Sequence, residues 1–242
     1  MLTSSIKFIN FEKKFNKRDK NIIKKFKNEN LIKKYNLLSS LTLSYKYSFT
    51  KEKLKKFKKH SLFRLIGMGG STLGAEAIYQ FLQHKTKKKF IFINNLKSNL
   101  SKYEKSNEAV NLIISKSGNT LETISNTNIL INQNQKNNNI FITEKKNNYL
   151  LNLAHKIKAE VFEHKNYIGG RYSVLSEVGM LPAELMGFDE RKFKRLNLLI
   201  NNNNFLKKLI SNVDSTLRFI KQGKFNSIIL NYDEKSENLF KW

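Results

Sequence analysis

The segment NLIISKSGNTLET, residues 111–123, decides the fold, because it joins an apolar run, a polar turn and the start of a helical pattern. The apolar run at 112–114 stops abruptly, and small or hydroxyl-bearing residues then fill most of the turn at 115–120. A continuous apolar run followed by a helical pattern is typical of a strand covered on both faces. The turn is more polar than a simple connection requires, so we treat it as a candidate binding site.

The same alternation of apolar runs and helical patterns covers residues 62–164. The predicted strands lie at 62–66, 89–94, 109–114, 139–143 and 159–164, and the helical patterns lie at 73–82, near 98–107, at 120–133 and at 149–157. Strands that alternate with helices indicate βαβ units and a parallel sheet. The predicted fold class is therefore α/β, a doubly wound five-stranded parallel sheet with flanking helices.

The regions outside this pattern are predominantly helical. Near-helical spacing of Phe11, Phe15, Ile22, Ile23 and Phe26 predicts helix, and KEKLKKFKKH at 51–60 predicts an amphipathic helix packed by its Leu54 and Phe57 edge. Pro182 would start or kink a helix, and SIILNY at 227–232 predicts a strand. The predicted divisions are a helical extension at 1–59, an α/β domain at 60–188, connecting helices at 189–222, and the truncated start of a second α/β domain at 223–242.

Charge and composition separate the candidate classes of partner. The chain has 242 residues, with 45 Lys and Arg against 19 Asp and Glu, for a net charge of +26. Such a charge is typical either of nucleic-acid or acidic-membrane binding or of a low-GC genome, in which Lys, Asn, Ile and Phe become abundant together. The basic residues are spread along the chain rather than collected in one stripe, which favours the second interpretation. A nucleic-acid partner is not expected.

Several site classes are excluded by what the sequence lacks. It has no cysteine, which excludes disulfides and thiolate metal sites. Its four histidines lack the spacing of a metal site, so no metal is expected. It has neither the apolar region of a signal peptide nor an apolar run long enough for a membrane span, so we predict a cytoplasmic protein without a membrane partner.

Two glycine- and hydroxyl-rich turns form the strongest candidate site. GMGGSTLG at 67–74 follows the first predicted strand, and SKSGNT at 115–120 follows the third. In a sheet of order 2-1-3-4-5 these two strands flank the point where strand order reverses, and ligands bind there. Both turns lead into helix N-termini, whose N–H groups and positive dipole end favour an anion. The pattern therefore predicts a phosphate cradle.

Competing motifs fail on spacing. The first turn has Thr72 where a dinucleotide fingerprint needs its last glycine, and the second predicted strand ends in asparagine rather than an acidic residue. A Walker A loop would need Lys after its final glycine, but Gly74 is followed by Ala75 and Glu76. Neither turn matches the G-x-S-x-G nucleophile elbow. A purely structural alternative stays open, in which the glycines tighten the turns and the hydroxyls cap the helices.

Two charged residues also have two interpretations each. Asn119 and Glu122 have the spacing of a capping box, so Glu122 either serves the helix start or takes part in the site. Arg171 follows Gly169 and Gly170, so it either forms a loop salt bridge or stabilises a negatively charged intermediate.

Three segments together resemble the glucose-6-phosphate isomerase family. They are GMGGSTLGAEA at 67–77, NLIISKSGNTLET at 111–123 and YIGGRYSVLSEVGMLP at 167–182, and the last contains the specific Gly-Gly-Arg-Tyr-Ser signature. YDEKSENLFKW at 232–242 resembles the lead-in to the next motif of that family. The order and spacing agree over residues 60–242. Asn119 departs from the pattern, since the family usually has threonine there.

The resemblance implies a two-domain sugar-isomerase (SIS) fold that interconverts glucose 6-phosphate and fructose 6-phosphate, in glycolysis and gluconeogenesis, without a cofactor. It implies that the substrate is held by Gly70, Ser71, Ser115, Lys116, Ser117, Thr120, Thr123 and Gly170. It assigns Arg171 to the cis-enediolate and Glu122 to a supporting role near the ring-opening groups. A homodimer is expected of the full-length family member.

The resemblance also places the general base, a glutamate, beyond Trp242. We therefore expect residues 1–242 to bind a sugar phosphate without turning it over. A non-catalytic SIS-type sugar-phosphate-binding module is the alternative, although the Gly-Gly-Arg-Tyr-Ser signature favours the isomerase.

Overall fold

The computed structural model describes residues 6–9, 16–27, 35–96, 108–131, 138–194, 199 and 202–241. The helical pattern predicted near 98–107, and Phe11 and Phe15, lie outside these ranges. Contacts between Cα atoms group the chain into two units. The sheet unit contains residues 44–192 and 231–242, and the helical unit contains residues 1–43 and 193–230. The predicted domain boundaries remain predictions.

A five-stranded parallel sheet organises the sheet unit. The strands are β1 (Leu62–Gly67), β2 (Lys89–Ile93), β3 (Val110–Ile114), β4 (Asn139–Thr143) and β5 (Glu160–Glu163). Their order is β2-β1-β3-β4-β5, and each neighbouring pair is parallel. The predicted fold class and the strand order 2-1-3-4-5 are confirmed. The continuous apolar runs are explained, because β1, β3 and β4 are almost wholly buried.

Helices cover both faces of this sheet. They are α3 (Leu73–Leu82), α4 (Leu121–Leu130), α5 (Tyr149–Lys156) and α6 (Glu177–Met186). On one face Leu130 of α4 and Leu150 of α5 pack with Ile113 and Phe141 in one buried cluster. On the other face Tyr79 of α3 contacts the rings of the β2 phenylalanines, and α3 packs against α6. Pro182 lies inside α6.

The segment before β1 packs tightly within the sheet unit. Helix α2 (Lys51–Lys55) begins after Thr50, whose side chain accepts a hydrogen bond from the Lys53 amide. Leu54 is 0 % exposed and Phe57 is 1 % exposed, as predicted, but the helix is shorter than the predicted 51–60 and Phe57 lies in the turn after it. Glu177 is buried at the start of α6. Its carboxylate accepts hydrogen bonds from the Tyr45 hydroxyl at 2.7 Å and the Ser48 amide at 2.9 Å.

Tyr45→Phe should lower the free energy of unfolding by about 1.5–3 kcal/mol, since it removes a hydrogen bond to a buried carboxylate. Burial and the neighbouring Glu177 raise the pKa of Tyr45, so the hydroxyl keeps its donor proton at all working pH values. Urea unfolding measures the change. Tyr232→Phe is the matched control, because Tyr232 is 94 % exposed and should change stability by less than about 0.5 kcal/mol. Equal effects of the two substitutions would contradict the packing described.

The remaining α-helices are distributed over the two units. They are α1 (Lys17–Lys27), α7 (Glu190–Phe193), α8 (Asn203–Lys221) and α9 (Glu237–Lys241). In the helical unit α1 contacts α8, and Ile22, Ile23 and Leu206 line an apolar groove there. In the sheet unit α9 packs on α3, where Gln80 accepts a hydrogen bond from the Asn238 amide at 2.9 Å. Within the described ranges, the helices lack the combination of length and apolar character that crossing a membrane requires.

The predicted strand at 227–232 is wrong for this structure. These residues adopt no regular secondary structure, and Ile228 is 86 % exposed. A strand is defined by hydrogen bonding to a neighbour, and no described strand pairs with this segment. The apolar pattern alone does not supply that partner.

Candidate functional site

The two glycine-rich turns begin side by side. In the β1–β3 register Gly67 pairs with Ile114, so both strands end at the same level. A Cβ atom on Gly67 would lie 2.7 Å from the Ile114 carbonyl oxygen, which leaves no room for a side chain. The turn at 68–72 and the turn at 115–120 therefore leave adjacent strand ends, as the strand order predicts.

The third predicted segment contacts the first turn through its backbone. A Cβ atom on Gly70 would lie 2.3 Å from the Gly170 carbonyl carbon and 2.9 Å from the Arg171 nitrogen. The Ser173 hydroxyl fixes the same contact, since it donates to the Gly170 oxygen at 2.7 Å and lies 3.4 Å from the Gly70 oxygen. The structure thus brings Gly70, Ser71, Gly170 and Arg171 into one neighbourhood.

The hydroxyl groups of the turn at 115–120 brace it from within. Ser115 is buried, and its Oγ accepts a hydrogen bond from the Gly118 amide at 3.2 Å. The same oxygen lies 3.1 Å from Oγ1 of Thr120, at the start of α4. Ser117 is exposed, and its Oγ accepts from the Asn119 amide at 3.3 Å. Ser115 and Thr120 therefore hold the turn closed, while Ser117 faces solvent.

Asn148, at the start of α5, holds this turn and was missed in the sequence. Gly118 has a φ of +66°, and a Cβ atom there would lie 1.9 Å from Asn148 Oδ1. That oxygen accepts the Leu151 amide at 2.8 Å, and the side-chain nitrogen donates to the carbonyl oxygens of Glu144 and Lys146. An asparagine just before a helical pattern is an N-cap signal, but its contact with Gly118 is not visible in the sequence.

The predicted capping role of Asn119 is wrong. The N-cap of α4 is Thr120, and its side chain makes no capping hydrogen bond. Asn119 Oδ1 instead accepts the Tyr149 amide of α5 at 3.0 Å. Because Thr120 is the N-cap and the Asn119 side chain is bonded to α5, the capping-box explanation of Glu122 is removed.

Two helix N-termini at this edge lack capping side chains. Helix α3 begins after Thr72 and α4 begins after Thr120, and neither side chain makes a capping hydrogen bond. In contrast, α2, α5 and α6 each begin with a side chain that accepts a helix amide. The first N–H groups of a helix need partners. The first amides of α3 and α4 thus remain as donors for an anion at the ends of β1 and β3.

The predicted charged residues differ in their surroundings. The Lys116 ammonium lies 3.7 Å from the Glu144 carboxylate, an ion pair beside the turn. Glu122 is half-buried in the first turn of α4. Arg171 is exposed and forms no ion pair with another described residue, so the salt-bridge interpretation has no support within the described ranges. Lys116 and Arg171 supply positive charge on two of the three loops.

Thr123 is enclosed beneath the site rather than open to it. It is buried in α4, and its hydroxyl has no hydrogen-bond partner in the described part of the chain. Contact between Thr123 and a ligand would require a bridging water molecule or a shift of the helix.

A cluster of carboxylates lies at the end of α6. Oxygens of Glu184, Asp189 and Glu190 lie within 4.8 Å of one another, the one such group of potential metal ligands among the described residues. Lys51 lies within 4.0 Å of all three, and Lys58 also pairs with Glu184 at 2.9 Å. The lysines neutralise most of the charge, so we assign this cluster to the packing of α2 and α6.

Comparisons with known proteins agree with the geometry. The family model described as phosphoglucose isomerase matches residues 20–214. The chain is similar to the glucose-6-phosphate isomerase of Methanocaldococcus jannaschii, with 32 % identity over 81 % of this chain and 52 % of the relative. It is also similar to the glucose-6-phosphate isomerase of Aster yellows witches'-broom phytoplasma, with 31 % identity over 79 % of this chain and 51 % of the relative.

The comparison with solved structures supports the fold alone. The crystal structure of a hypothetical protein from Thermus thermophilus aligns with a TM-score of 0.68 and 20 % identity, over 93 % of this chain and 59 % of that one. The chain spans about half the length of the curated relatives it matches. The family match, the parallel sheet and the three loops agree, and the chain belongs to the phosphoglucose isomerase family.

Proposed function

We propose that the sheet unit binds the 6-phosphate of glucose 6-phosphate and fructose 6-phosphate in the cradle formed by the turns after β1 and β3. The observation that carries the proposal is the pair of uncapped helix N-termini at adjacent strand ends. Two helix N-termini, with their positive dipole ends and free amides, favour a dianion. The names of the curated relatives supply the substrate class.

The roles within the site follow from the contacts. The residues proposed to hold the phosphate are Ser71, Ser115, Lys116, Ser117 and Thr120, and Thr123 supports them from beneath. Gly70 and Gly170 let the two loops approach to backbone contact. Lys116 belongs to the turn at 115–120, and its ammonium, paired with Glu144, offers charge to a dianion.

Arg171 is proposed to stabilise the intermediate of the isomerisation. Moving a proton between C1 and C2 of the sugar passes through a cis-enediolate, whose negative charge a fixed guanidinium stabilises. Glu122 is proposed to support the pocket near the ring oxygen. The resemblance assigns the general base to none of residues 1–242, and we propose that these residues on their own bind the substrate without turning it over. Cytoplasmic glycolysis and gluconeogenesis, and a homodimer in the full-length protein, belong to the same proposal.

Ser115→Ala combined with Thr120→Ala should weaken fructose 6-phosphate binding at least about tenfold, because a hydrogen bond to a charged group contributes about 1.5–3 kcal/mol. The measurement is calorimetric titration at constant salt. Ser211→Ala on α8 is the control and should bind as the wild type does, because its hydroxyl donates to the Lys207 carbonyl oxygen of its own helix. Unchanged affinity in the double variant would contradict the proposed phosphate cradle.

Isomerase activity separates the isomerase from the non-catalytic alternative. Coupled assay of purified residues 1–242 should give no turnover in either direction while fructose 6-phosphate still binds. Measurable turnover would contradict the proposed absence of the base. Selective binding of an amino-sugar phosphate over fructose 6-phosphate would favour the SIS-type binding module.

A further inference from the structure

His164 lies directly after β5 and is 1 % exposed. Its backbone amide donates to the Thr143 oxygen at 2.8 Å, which extends the β4–β5 ladder by one residue. In the ring, Nδ1 lies 3.2 Å from the Lys165 carbonyl oxygen. A carbonyl only accepts, so Nδ1 carries the proton and Nε2 carries the lone pair. Nε2 is buried and has no hydrogen-bond partner among the described residues, an exception that requires an explanation.

The strand register aligns His164 with the proposed anion site. Ile114 pairs with Ile142, and Ile142 pairs with Phe162, so these three side chains lie on one face. Side chains alternate along a strand, so Glu144 and His164, two residues further, continue on that face. Lys116 completes the line, since its carbonyl oxygen accepts the Glu144 amide at 3.1 Å and its ammonium pairs with the Glu144 carboxylate. Lys116, Glu144 and His164 therefore lie side by side just beyond the carboxyl ends of β3, β4 and β5.

The charges around His164 act in opposite directions. Burial lowers the pKa of His164, the Lys165 carbonyl raises it, Lys116 lowers it and Glu144 raises it. The net pKa is below the ordinary value of about 6.5, so the ring is neutral at pH 7. At a given pH the His164 ring therefore binds a proton less readily in the folded protein than in the unfolded chain. The free energy of unfolding consequently falls as the pH drops below the unfolded pKa.

The other titratable groups on the neighbouring elements have partners of their own. Lys146 pairs with Glu144 at 3.6 Å, and Lys145 pairs with Glu163 at 3.3 Å. On the segment before α2, Tyr45 is hydrogen-bonded to Glu177 of α6. Glu144 is the carboxylate whose charge raises the pKa of His164, so it is the one to which a charged ring would turn.

We propose that His164 is a positioning residue for the anion site, because its charge determines whether Glu144 holds Lys116 or releases it toward a bound anion. The inference rests on the proposed function. With a neutral ring, Glu144 pairs with Lys116 and Lys146. When a solvent proton adds to Nε2, the imidazolium satisfies Glu144, and the Lys116 ammonium becomes available to the anion in the turn at 115–120. The buried, unpartnered Nε2 is the atom that receives this proton.

The sign of the pH dependence follows by linkage. An anion beside Lys116 stabilises the protonated ring, so binding takes up a proton and affinity rises as the pH falls from 8 to 6. A phosphate monoester hides this effect, because it loses its second charge near pH 6. A sulfate monoester keeps its charge across this range. Glucose 6-sulfate is therefore the probe.

The experiment titrates glucose 6-sulfate into the full chain at pH 8 and pH 6, at constant ionic strength. The wild type should bind at least about threefold more tightly at pH 6, whereas His164→Gln and Glu144→Gln should bind equally at both. The matched control is His84→Gln, an exposed histidine that should retain the wild-type dependence. A wild-type affinity that does not change with pH, or the same change in His164→Gln, would overturn the proposal.

A measurement on the wild-type ring covers the case in which His164→Gln fails to fold. Proton NMR follows the imidazole C2 protons against pH, with the His164 signal assigned from specific labelling. Glucose 6-sulfate should raise the pKa of His164, which a merely structural histidine would not show, and Glu144→Gln should lower it. If neither pKa moves, the proposal fails while the proposed function stands. If neither fructose 6-phosphate nor glucose 6-sulfate binds at either pH, the proposed function fails and the inference fails with it.

Discussion

Gly70→Ala is expected to weaken fructose 6-phosphate binding at least about 100-fold, which corresponds to about 2.7 kcal/mol. The added Cβ atom would lie 2.3 Å from the Gly170 carbonyl carbon and 2.4 Å from its oxygen. Both are backbone atoms, so no rotamer change relieves the overlap, and the loop that carries Arg171 must move away from the first turn. Such overpacking also destabilises the fold by about 1–3 kcal/mol.

Gly69→Ala is the matched control for this substitution. Gly69 has a φ of +54°, and a Cβ atom there meets nothing within 4 Å. The change imposes about 1–2 kcal/mol of left-handed strain without displacing the Gly170 loop. Urea unfolding and calorimetric titration of the two variants separate strain from displacement. Binding by Gly70→Ala at the wild-type level would contradict the proposed contact between the loops.

Gly118→Ala is expected to lower the free energy of unfolding by about 2–4 kcal/mol and to weaken phosphate binding at least about tenfold. Its φ of +66° costs an alanine about 1–2 kcal/mol. The new Cβ atom would also lie 1.9 Å from Asn148 Oδ1, the oxygen that caps α5. Loss of that cap adds about 1 kcal/mol, and the turn at 115–120 loses its support.

Gly187→Ala isolates the strain contribution to this effect. Gly187 ends α6 with a φ of +97° and nothing within 4 Å of the added Cβ position. Its substitution should cost only the left-handed penalty and leave binding unchanged. Thermal or urea unfolding compares the two variants. An equal loss of stability in Gly118→Ala and Gly187→Ala would show that Asn148 does not hold the turn.

The sheet and its strand order could be predicted because buried strands appear in the sequence as apolar runs that do not alternate with polar residues. The runs at 62–66 and 109–114 are apolar apart from Arg64 and Asn111 and do not alternate with polar residues, which is typical of strands covered on both faces. The position of the candidate site followed from the same pattern, since glycine-rich turns after β1 and β3 must meet at one edge. The close approach of Gly67 to the Ile114 carbonyl oxygen agrees with this placement of the two turns.

What could not be predicted depends on contacts between segments distant in sequence. The capping-box spacing of Asn119 and Glu122 suggested local capping, but the Tyr149 amide competes for the Asn119 side chain. The support of Gly118 by Asn148 connects two turns that the sequence pattern treats separately. The segment at 227–232 has the composition of a strand. A strand also needs a hydrogen-bonded neighbouring strand, and the apolar pattern of one segment does not reveal whether that neighbour exists.

The most direct test of the account is a two-dimensional NMR titration of residues 1–242 with fructose 6-phosphate, with fructose as the comparison ligand. The phosphate ester should produce saturable shifts in the amides of residues 70–75 and 118–123, the two uncapped helix starts and their turns. Fructose at the same concentrations should leave those amides unchanged, because it lacks the anion. Saturable shifts confined to other residues, or identical shifts with both ligands, would contradict the phosphate cradle.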